Sequence, residues 1–513
     1  MTERFDVIVM GSGLGGLVSA LILAKEGRRV CVLEKNQQFG GNLQTFSRNK
    51  TIFDTGVHYI GGLSEGQNLY RYFDYLGVME DLNLKQMNID GFDVVTFDGD
   101  PEEYPYAQGY ENFISTLVEK FPEEEEGIRG YCNAMREMCG NFPLYELGTG
   151  KPYFEDGSVF GKQVKEHINS FTSNEKLQAV LGGTNLLYAG DDTRTPFYVH
   201  ALSVNSYIES AYRCVNGGSQ ISKILLKRLR ELGSVAYKRS EVTEFNYTEG
   251  QLTGVTTLDG RTFEADTFIS NINPKRTLEI AGSEKFRKAY VNRIASIPDT
   301  CSAFSLYIVL KPNCFPYLNK NYYHFKDASR IWNAQEYTQD SWPESYMVSM
   351  GVNKNTEQYG DTLTAMTYMR YDEVATWEKT FNTVVRKNER GQTYEAFKKE
   401  KTEIFIDELE KKFPDIRECI SAVYTSTPLS YRDYIGNHRG CMYGYEKDIQ
   451  NPLRSFISPR TKINNLFFTG QSLNMHGILG VTISAVITCS EILGGEYLIE
   501  KIQEATSTIN SVN

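Results

Sequence analysis

Three glycines and one glutamate near the start of the chain have the types and spacing to hold a dinucleotide. Gly11, Gly13 and Gly16 stand as G-x-G-x-x-G around Ser12, Leu14 and Gly15. Each glycine has a separate job. Gly11 permits a tight turn, Gly13 lets the backbone approach a pyrophosphate, and Gly16 lets a helix and a strand come close. Leu14, Gly15 and Gly16 then offer the unpaired N–H groups and positive dipole end of a helix to phosphate. Glu34 is placed so that its carboxylate accepts from both ribose hydroxyls. The elements around these residues have the order the motif requires. Phe5–Met10 reads as a strand, Leu17–Lys25 as a helix and Arg29–Leu33 as a second strand ending at Glu34. An ordinary Gly-rich turn would leave that acidic strand tip unexplained.

The next segment favours FAD over NAD. Lys35 to Phe39 lead into Gly40, Gly41 and Asn42. A glycine pair this soon after the ribose carboxylate suits a loop crossing closely over the cofactor, where β-carbons would obstruct. The far end of the chain reads as the matching half. Leu466–Phe468 is a buried-type strand leading through Thr469 to Gly470 and Gln471. His476, Gly477 and Gly480 form a second Gly-rich loop before an apolar helix from Val481 to Leu493. That second helix N-terminus is expected at the pyrimidine end of a flavin, where it stabilises negative charge. Between the two ends, Asn216–Gln220 precedes a helix through Leu232. Strands and a hairpin turn follow to Asn271. In such folds the residue at Val242 packs by the adenine through its backbone; an ordinary strand valine is the plain alternative.

Composition sets bounds on function. The 513 residues suffice for two domains, with 41% hydrophobic and 23% charged residues, as in globular proteins. A net charge of −11 argues against nucleic acid and against attraction to anionic membrane surfaces; peripheral contact through an apolar patch stays compatible. Tyr 33 and Phe 28 suit a pocket for an apolar or conjugated substrate, though core packing must account for most of them. Nine scattered cysteines without C-x-x-C read as reduced thiols. Six histidines without ligand spacing predict no metal. The N-terminus enters the first strand directly and no run reaches membrane-span length. The expected location is cytoplasmic, with membrane contact at most peripheral.

The predicted fold class is α/β: an FAD-binding Rossmann-like domain of glutathione-reductase type with an inserted α+β substrate domain. The expected division gives 1–65, 215–299 and 426–513 to the FAD domain, and 66–214 and 300–425 to the substrate domain. Residues 66–214 read as mainly helical. Glu123–Glu126 read as a solvated helix start, and the chain from about Ala505 as a fraying end.

Several longer motifs carry a resemblance. Phe53-Asp54-Thr55-Gly56-Val57-His58-Tyr59-Ile60-Gly61 follows the glycine pair. Asn321-Tyr322-Tyr323, Tyr394-Glu395-Ala396-Phe397, Pro428-Leu429, Arg439-Gly440-Cys441 with Tyr443-Gly444, and Asn465 to Gln471 with Gly477 come in order behind it. The chain resembles, over nearly its whole length, the retinol saturase branch of the FAD-dependent carotenoid desaturase and isomerase superfamily. Asn42 and His476 depart from the pattern, as does the lack of the secretory segment of the animal saturases. The resemblance implies chemistry on carbon–carbon double bonds of an apolar polyene, with saturation leading and cis–trans isomerisation or desaturation as alternatives. A polyene can be protonated to a delocalised cation; hydride then completes reduction, whereas proton loss completes isomerisation. NAD(P)H is a candidate electron donor. An amine oxidase would favour an aromatic cage, and a protein that merely holds FAD or lipid is the non-enzymatic alternative. Oligomeric state is not legible. The candidates for moving the proton are His58, Tyr59 and His476, with Tyr431, Tyr434, His438 and Tyr443 behind them. His58 and His476 lie in segments expected to border the flavin and histidine can titrate near neutrality, but for either one a structural or FAD-contacting role is favoured over catalysis. Tyr443 and Arg439 are expected at the pocket mouth.

Overall fold

A computed structural model describes residues 3–148, 158–387 and 389–507. The chain opens with β1 (Glu3–Met10), α1 (Leu14–Lys25) and β2 (Val30–Leu33). All four residues of β2 are buried, as are all but one in α1, so this unit is covered on both sides and reads apolar throughout.

The first seven-stranded sheet is built from remote pieces. Its order is Val235–Tyr237, β2, β1, Thr262–Ser270, Gln251–Thr257, Val242–Thr248, with Leu466–Phe468 also pairing to Thr262–Ser270. The inner pairings are parallel, and their register aligns the strand ends. Met10 lies opposite Leu33 on one side and Ser270 on the other, and Ser270 lies opposite Phe468. Four chain segments therefore leave the sheet at one carboxyl edge: Gly11, Glu34, Asn271 and Thr469. Open α/β sheets bind their ligands at this edge.

A second seven-stranded sheet runs Ile420–Ser426, Ser302–Leu310, Thr362–Met369, Ser345–Met350, Asn321–Phe325, Asp93–Phe97, Tyr104–Tyr106. Its last two strands come from the stretch expected to be mainly helical. Asp93–Phe97 pairs in parallel with Asn321–Phe325, and Tyr104–Tyr106 forms the sheet edge, where Pro105 is tolerated. Strands of five and three residues are too short for a periodic pattern to reveal. Residues 66–214 also contribute Leu84–Gln86 and Ala211–Cys214 to a three-stranded sheet with Ile60–Gly61. Glu125–Gly140 begins with Glu125 and Glu126 in its first turn, as the acidic run predicts. The helix Gly495–Ser507 runs past the expected fraying point at Ala505.

One expectation about cysteine is corrected. Cys314 and Cys419 form a disulfide across 105 residues. Cys314 lies in the loop after Ser302–Leu310, and Cys419 immediately precedes the neighbouring strand Ile420–Ser426. Strand pairing brought the two together, and no local spacing motif records such a meeting. The remaining seven cysteines are free thiols.

Candidate active site

The glycines at the sheet edge create a cradle of backbone. Gly11 has φ +93°, a conformation that side chains disfavour. A β-carbon on Gly16 would lie 2.1 Å from the Gly11 carbonyl oxygen, so α1 can approach β1 only with glycine here. The glycine pair comes back over the same turn: Gly40 bridges to Gly13, and a β-carbon on Gly41 would stand 3.0 Å from Gly13 Cα. No side chain caps α1, whose N-cap is Gly13. The helix Gly477–Leu493 likewise starts without a side-chain cap, behind His476.

Both helix starts open into one cavity of about 1100 Å³. Drug-sized ligands occupy roughly 300–1,000 Å³, so this space exceeds a single such ligand. Gly11, Gly13, Leu14, Gly15, Glu34, Lys35, Gly41, Asn42, Val242, Gly470, Gln471 and Gly480 all line it. Gly16 does not, because it is pressed against Gly11. Two uncapped helix N-termini, a cradle closed to β-carbons and a carboxylate at the rim fit an FAD, with its anionic phosphates at α1.

Two of these side chains also bond within the protein. Glu34 already accepts from Ser12 N (3.0 Å), Ser12 Oγ (2.5 Å) and Asn36 N (2.8 Å). Ser12 Oγ in turn accepts from Gly40 N at 3.1 Å. Three of about four acceptor positions are used within the protein. Glu34 thus fastens the glycine-pair loop to the first turn and has about one acceptor position not used within the protein. Lys35 Nζ donates to the Asp433 carbonyl oxygen at 2.9 Å. That oxygen belongs to the last turn of helix Pro428–Ile435, where a cation complements the dipole. Burial holds the Lys35 ammonium below the usual lysine range. Asn271 was not singled out from sequence. Its side chain fills the centre of the cradle, with Nδ2 2.8 Å from where a Gly13 β-carbon would be and Oδ1 2.5 Å from that of Gly470.

The other part of the cavity is apolar, with Phe142, Leu186, Leu187, Leu202, Met347 and Met366 among its walls. His58, Tyr59 and His476 line it, as do Tyr431, Tyr434 and Tyr443. His438 does not: it is exposed and pairs with Asp299 at 2.6 Å. Arg439 also stays outside, with its guanidinium over the Tyr371 ring. His476 Nε2 donates to the Leu187 carbonyl oxygen (2.9 Å), and Tyr443 donates to that of Leu186 (2.7 Å), with the two rings 4.7 Å apart. These bonds fix both side chains in the cavity wall.

The expectation that the histidines titrate near neutrality is corrected. Burial pulls His58 down to about 4, with the positive charge of Arg213 adding to the effect. Burial also pulls His476 down to about 4. Both line the cavity and are only partly exposed, and the protein packed around them disfavours the imidazolium, so the neutral ring prevails at pH 7. Tyr59 is placed otherwise. Its hydroxyl donates to Asp93 Oδ2 at 2.7 Å and lies 2.7 Å from the Tyr323 hydroxyl; its ring stacks on Tyr207, centroids 4.3 Å apart. Asp93 and Tyr207 were missed from sequence, where one is an isolated acid in a short strand and the other a helix aromatic.

Comparisons with known proteins agree with this geometry. Residues 9–76 match the family model of an NAD(P)-binding Rossmann-like domain, the strand–helix–strand unit common to NAD and FAD folds. An all-trans-retinol 13,14-reductase of Rattus norvegicus is 26% identical over 96% of this chain and 86% of its own. A chloroplastic prolycopene isomerase of an Oncidium hybrid cultivar is 26% identical over 97% of this chain and 85% of its own. An oxidoreductase from Methanosarcina mazei shares the fold, with TM-score 0.63 over 94% of this chain and 100% of that one at 14% identity. Over nearly its whole length the chain is thus similar in sequence to all-trans-retinol 13,14-reductases and prolycopene isomerases, a likeness that matches the retinol saturase resemblance, and it shares its fold with a known oxidoreductase.

Proposed function

We propose that the protein is an FAD-dependent oxidoreductase acting on carbon–carbon double bonds of an apolar polyene, with saturation as its reaction. The observation that carries this reading is the single cavity in which a glycine cradle with two bare helix N-termini adjoins an apolar chamber. FAD, when bound, supplies or accepts hydride. The protein's own groups do the rest. The N–H groups at Leu14–Gly16 and at the start of Gly477–Leu493 hold negative charge, and Glu34 holds a ribose hydroxyl. The walls from Phe142 to Met366 exclude water and align a long conjugated chain. The similarity to prolycopene isomerases favours isomerisation in the same cavity as the second reading. The division into an FAD-binding part and a substrate part at the boundaries given above belongs to this proposal, as do NAD(P)H as donor and a peripheral lipid contact. Among the described residues no helix is long and apolar enough to cross a membrane. The exposed Val384 and Val385, beside the cavity-lining Phe381 and Arg386, support that contact.

The test uses purified full-length protein. It is expected to be yellow and to bleach with dithionite. Anaerobic incubation of photoreduced protein with a retinoid or carotenoid then counts electrons. One flavin reoxidised per product identifies a reductase, and product without reoxidation identifies an isomerase. A colourless preparation that cannot be reconstituted, or a yellow one that converts no polyene, overturns the proposal.

A further inference from the structure

A chain of five buried polar side chains ends at the cavity wall. Arg213 Nη2 donates to Asn321 Oδ1 (2.9 Å), Asn321 Nδ2 donates to Asp93 Oδ1 (2.8 Å), and Tyr59 donates to Asp93 Oδ2. With Asp93 ionised, Tyr59 donates to it and the 2.7 Å contact with Tyr323 is a bond donated by Tyr323. Arg213, Asn321, Asp93 and Tyr323 are 2% exposed or less. Of the five, Tyr59 alone lines the cavity. Strand register builds the cluster: Asp93 lies opposite Asn321 in a parallel pair, and Tyr323 follows two residues on, on the same face. Arg213 has no carboxylate partner among the described residues. It is held by the carbonyl oxygens of Met350 (2.7 Å) and Lys320 (3.0 Å), and its Nε has no partner. A buried carboxyl, two phenols and a cation behind an otherwise apolar wall are costly to dehydrate.

We propose that this cluster is the proton path into the cavity, with Tyr59 as the catalytic acid and Asp93 as the residue that directs and restores its proton. The proposal rests on the polyene reading of the same cavity. With Asp93 ionised, the phenolic hydrogen of Tyr59 is tied to the carboxylate. With Asp93 protonated, the carboxyl O–H donates to Tyr59 instead, and the phenolic hydrogen is released toward the cavity. In the chemical step the Tyr59 O–H bond breaks and a C–H bond forms on a polyene carbon, leaving a delocalised cation. The phenolate takes the Asp93 proton, leaving a carboxylate that is recharged from solvent water only after reduction, the one outcome that consumes a proton. In isomerisation the same carbon loses its added proton after rotation, Tyr59 accepting it as its own phenolic proton passes back to the Asp93 carboxylate, with no net proton uptake; in reduction, hydride that a bound reduced flavin would supply adds to the cation. No electrons pass through the cluster.

The surroundings suit a carboxyl that keeps its proton near neutrality. The groups facing Asp93 are Tyr59, Tyr323 and Asn321, Arg213 beyond Asn321, Tyr207 on helix Phe197–Glu209 and Tyr106 on the adjacent strand. Burial raises Asp93 to about 7, against the lowering effect of the Tyr59 and Asn321 hydrogen bonds and the Arg213 charge. Tyr59 is driven well above the usual tyrosine range, first by burial and then by Asp93, so it stays a neutral phenol.

Two measurements on the full-length holoprotein test the path. Difference infrared spectroscopy is expected to show a protonated carboxyl band that titrates near pH 7 and is absent from Asp93→Asn. Turnover of a carotenoid in D₂O is expected to place solvent deuterium on a polyene carbon. Tyr59→Phe should slow that incorporation by about 10²–10⁴-fold, the usual range for losing a general acid. In the wild type the rate should fall as pH rises through about 7, and Asp93→Asn should lack this limb. Should Asp93→Asn fail to fold, Tyr323→Phe serves. It removes the bond Tyr59 receives and should displace the infrared midpoint. A wild-type rate without the limb near pH 7, undiminished deuterium in Tyr59→Phe, no titrating band, or an unmoved midpoint in Tyr323→Phe overturns the proposal. Wild-type protein that converts no polyene defeats the functional reading instead, and the infrared titration still decides the state of Asp93.

Discussion

His58 and His476 border the cavity, yet neither suits the role their residue type suggests. An imidazole acts as an acid at pH 7 only if a useful fraction is protonated there, and burial prevents this for both. NMR of the imidazole nitrogens should give midpoints near 4 for both, against 6.5 for an exposed histidine. The sign of the linkage follows from the depressed values. Between about 4 and 6.5 the unfolded chain binds more protons at these sites, so their contribution to stability is complete above pH 6.5 and is lost as pH falls toward 4. Midpoints near 6.5 would restore the histidines as candidate acids. The carboxyl of Asp93 is shifted the opposite way by the same burial, since each group avoids its charged form.

The helix Pro428–Ile435 shows how an element can join two parts of the molecule. A capping box of Thr427 and Ser430 starts it, and Gly436 with φ +87° ends it. Lys35 and Asn36, at the end of β2, bind the carbonyl oxygens of Asp433 and Tyr434 in its last turn. Asp433 is fully buried, pairs with Arg390 and Arg432, and accepts from Asn382 N at 2.7 Å. It therefore ties the segment carrying Phe381 and Arg386, at the cavity wall, to the helix. Asp433→Ala leaves the Arg390 guanidinium buried without a counter-charge. Breaking such a pair costs about 3–5 kcal/mol, so the urea midpoint should drop markedly and proteolysis should quicken around Val384–Lys387. An unchanged midpoint would mean that Arg390 finds water or another acceptor. Pro428-Leu429 was recognisable in sequence as a motif, but its acidic centre was not, because both arginine partners are chosen by the fold.

Across the whole molecule, two seven-stranded sheets share one cavity, and both are assembled from distant segments. The disulfide from Cys314 to Cys419 closes a 105-residue span of the second sheet. Cross-links of this kind stabilise by about 2–4 kcal/mol, chiefly by restricting the unfolded chain. Replacing both cysteines by serine should lower stability by that amount in guanidinium denaturation without altering flavin content. An equal midpoint for the two proteins, with the bond verified by mass spectrometry, would contradict this. Intact disulfides in the purified protein would also bear on the compartment in which it works, since reducing compartments keep thiols free.

The local parts of this protein are legible in its residues alone. G-x-G-x-x-G, the strand–helix–strand around it, the second glycine pair and the helix after Gly477 all appear where their spacing implies. Each depends on short-range needs: a turn with positive φ, a helix start without obstruction, or a period of 2 or 3.6 residues. The tertiary structure alone decided the rest. It paired Asp93 with Tyr59 across 34 residues and brought Tyr323 to Tyr59 across 264. It also filled the glycine cradle with Asn271, held both histidines neutral and joined Cys314 to Cys419. Protonation and hydrogen-bond direction depend on how much water and charge the neighbours leave around a group. Those neighbours come from strands whose adjacency no local pattern encodes.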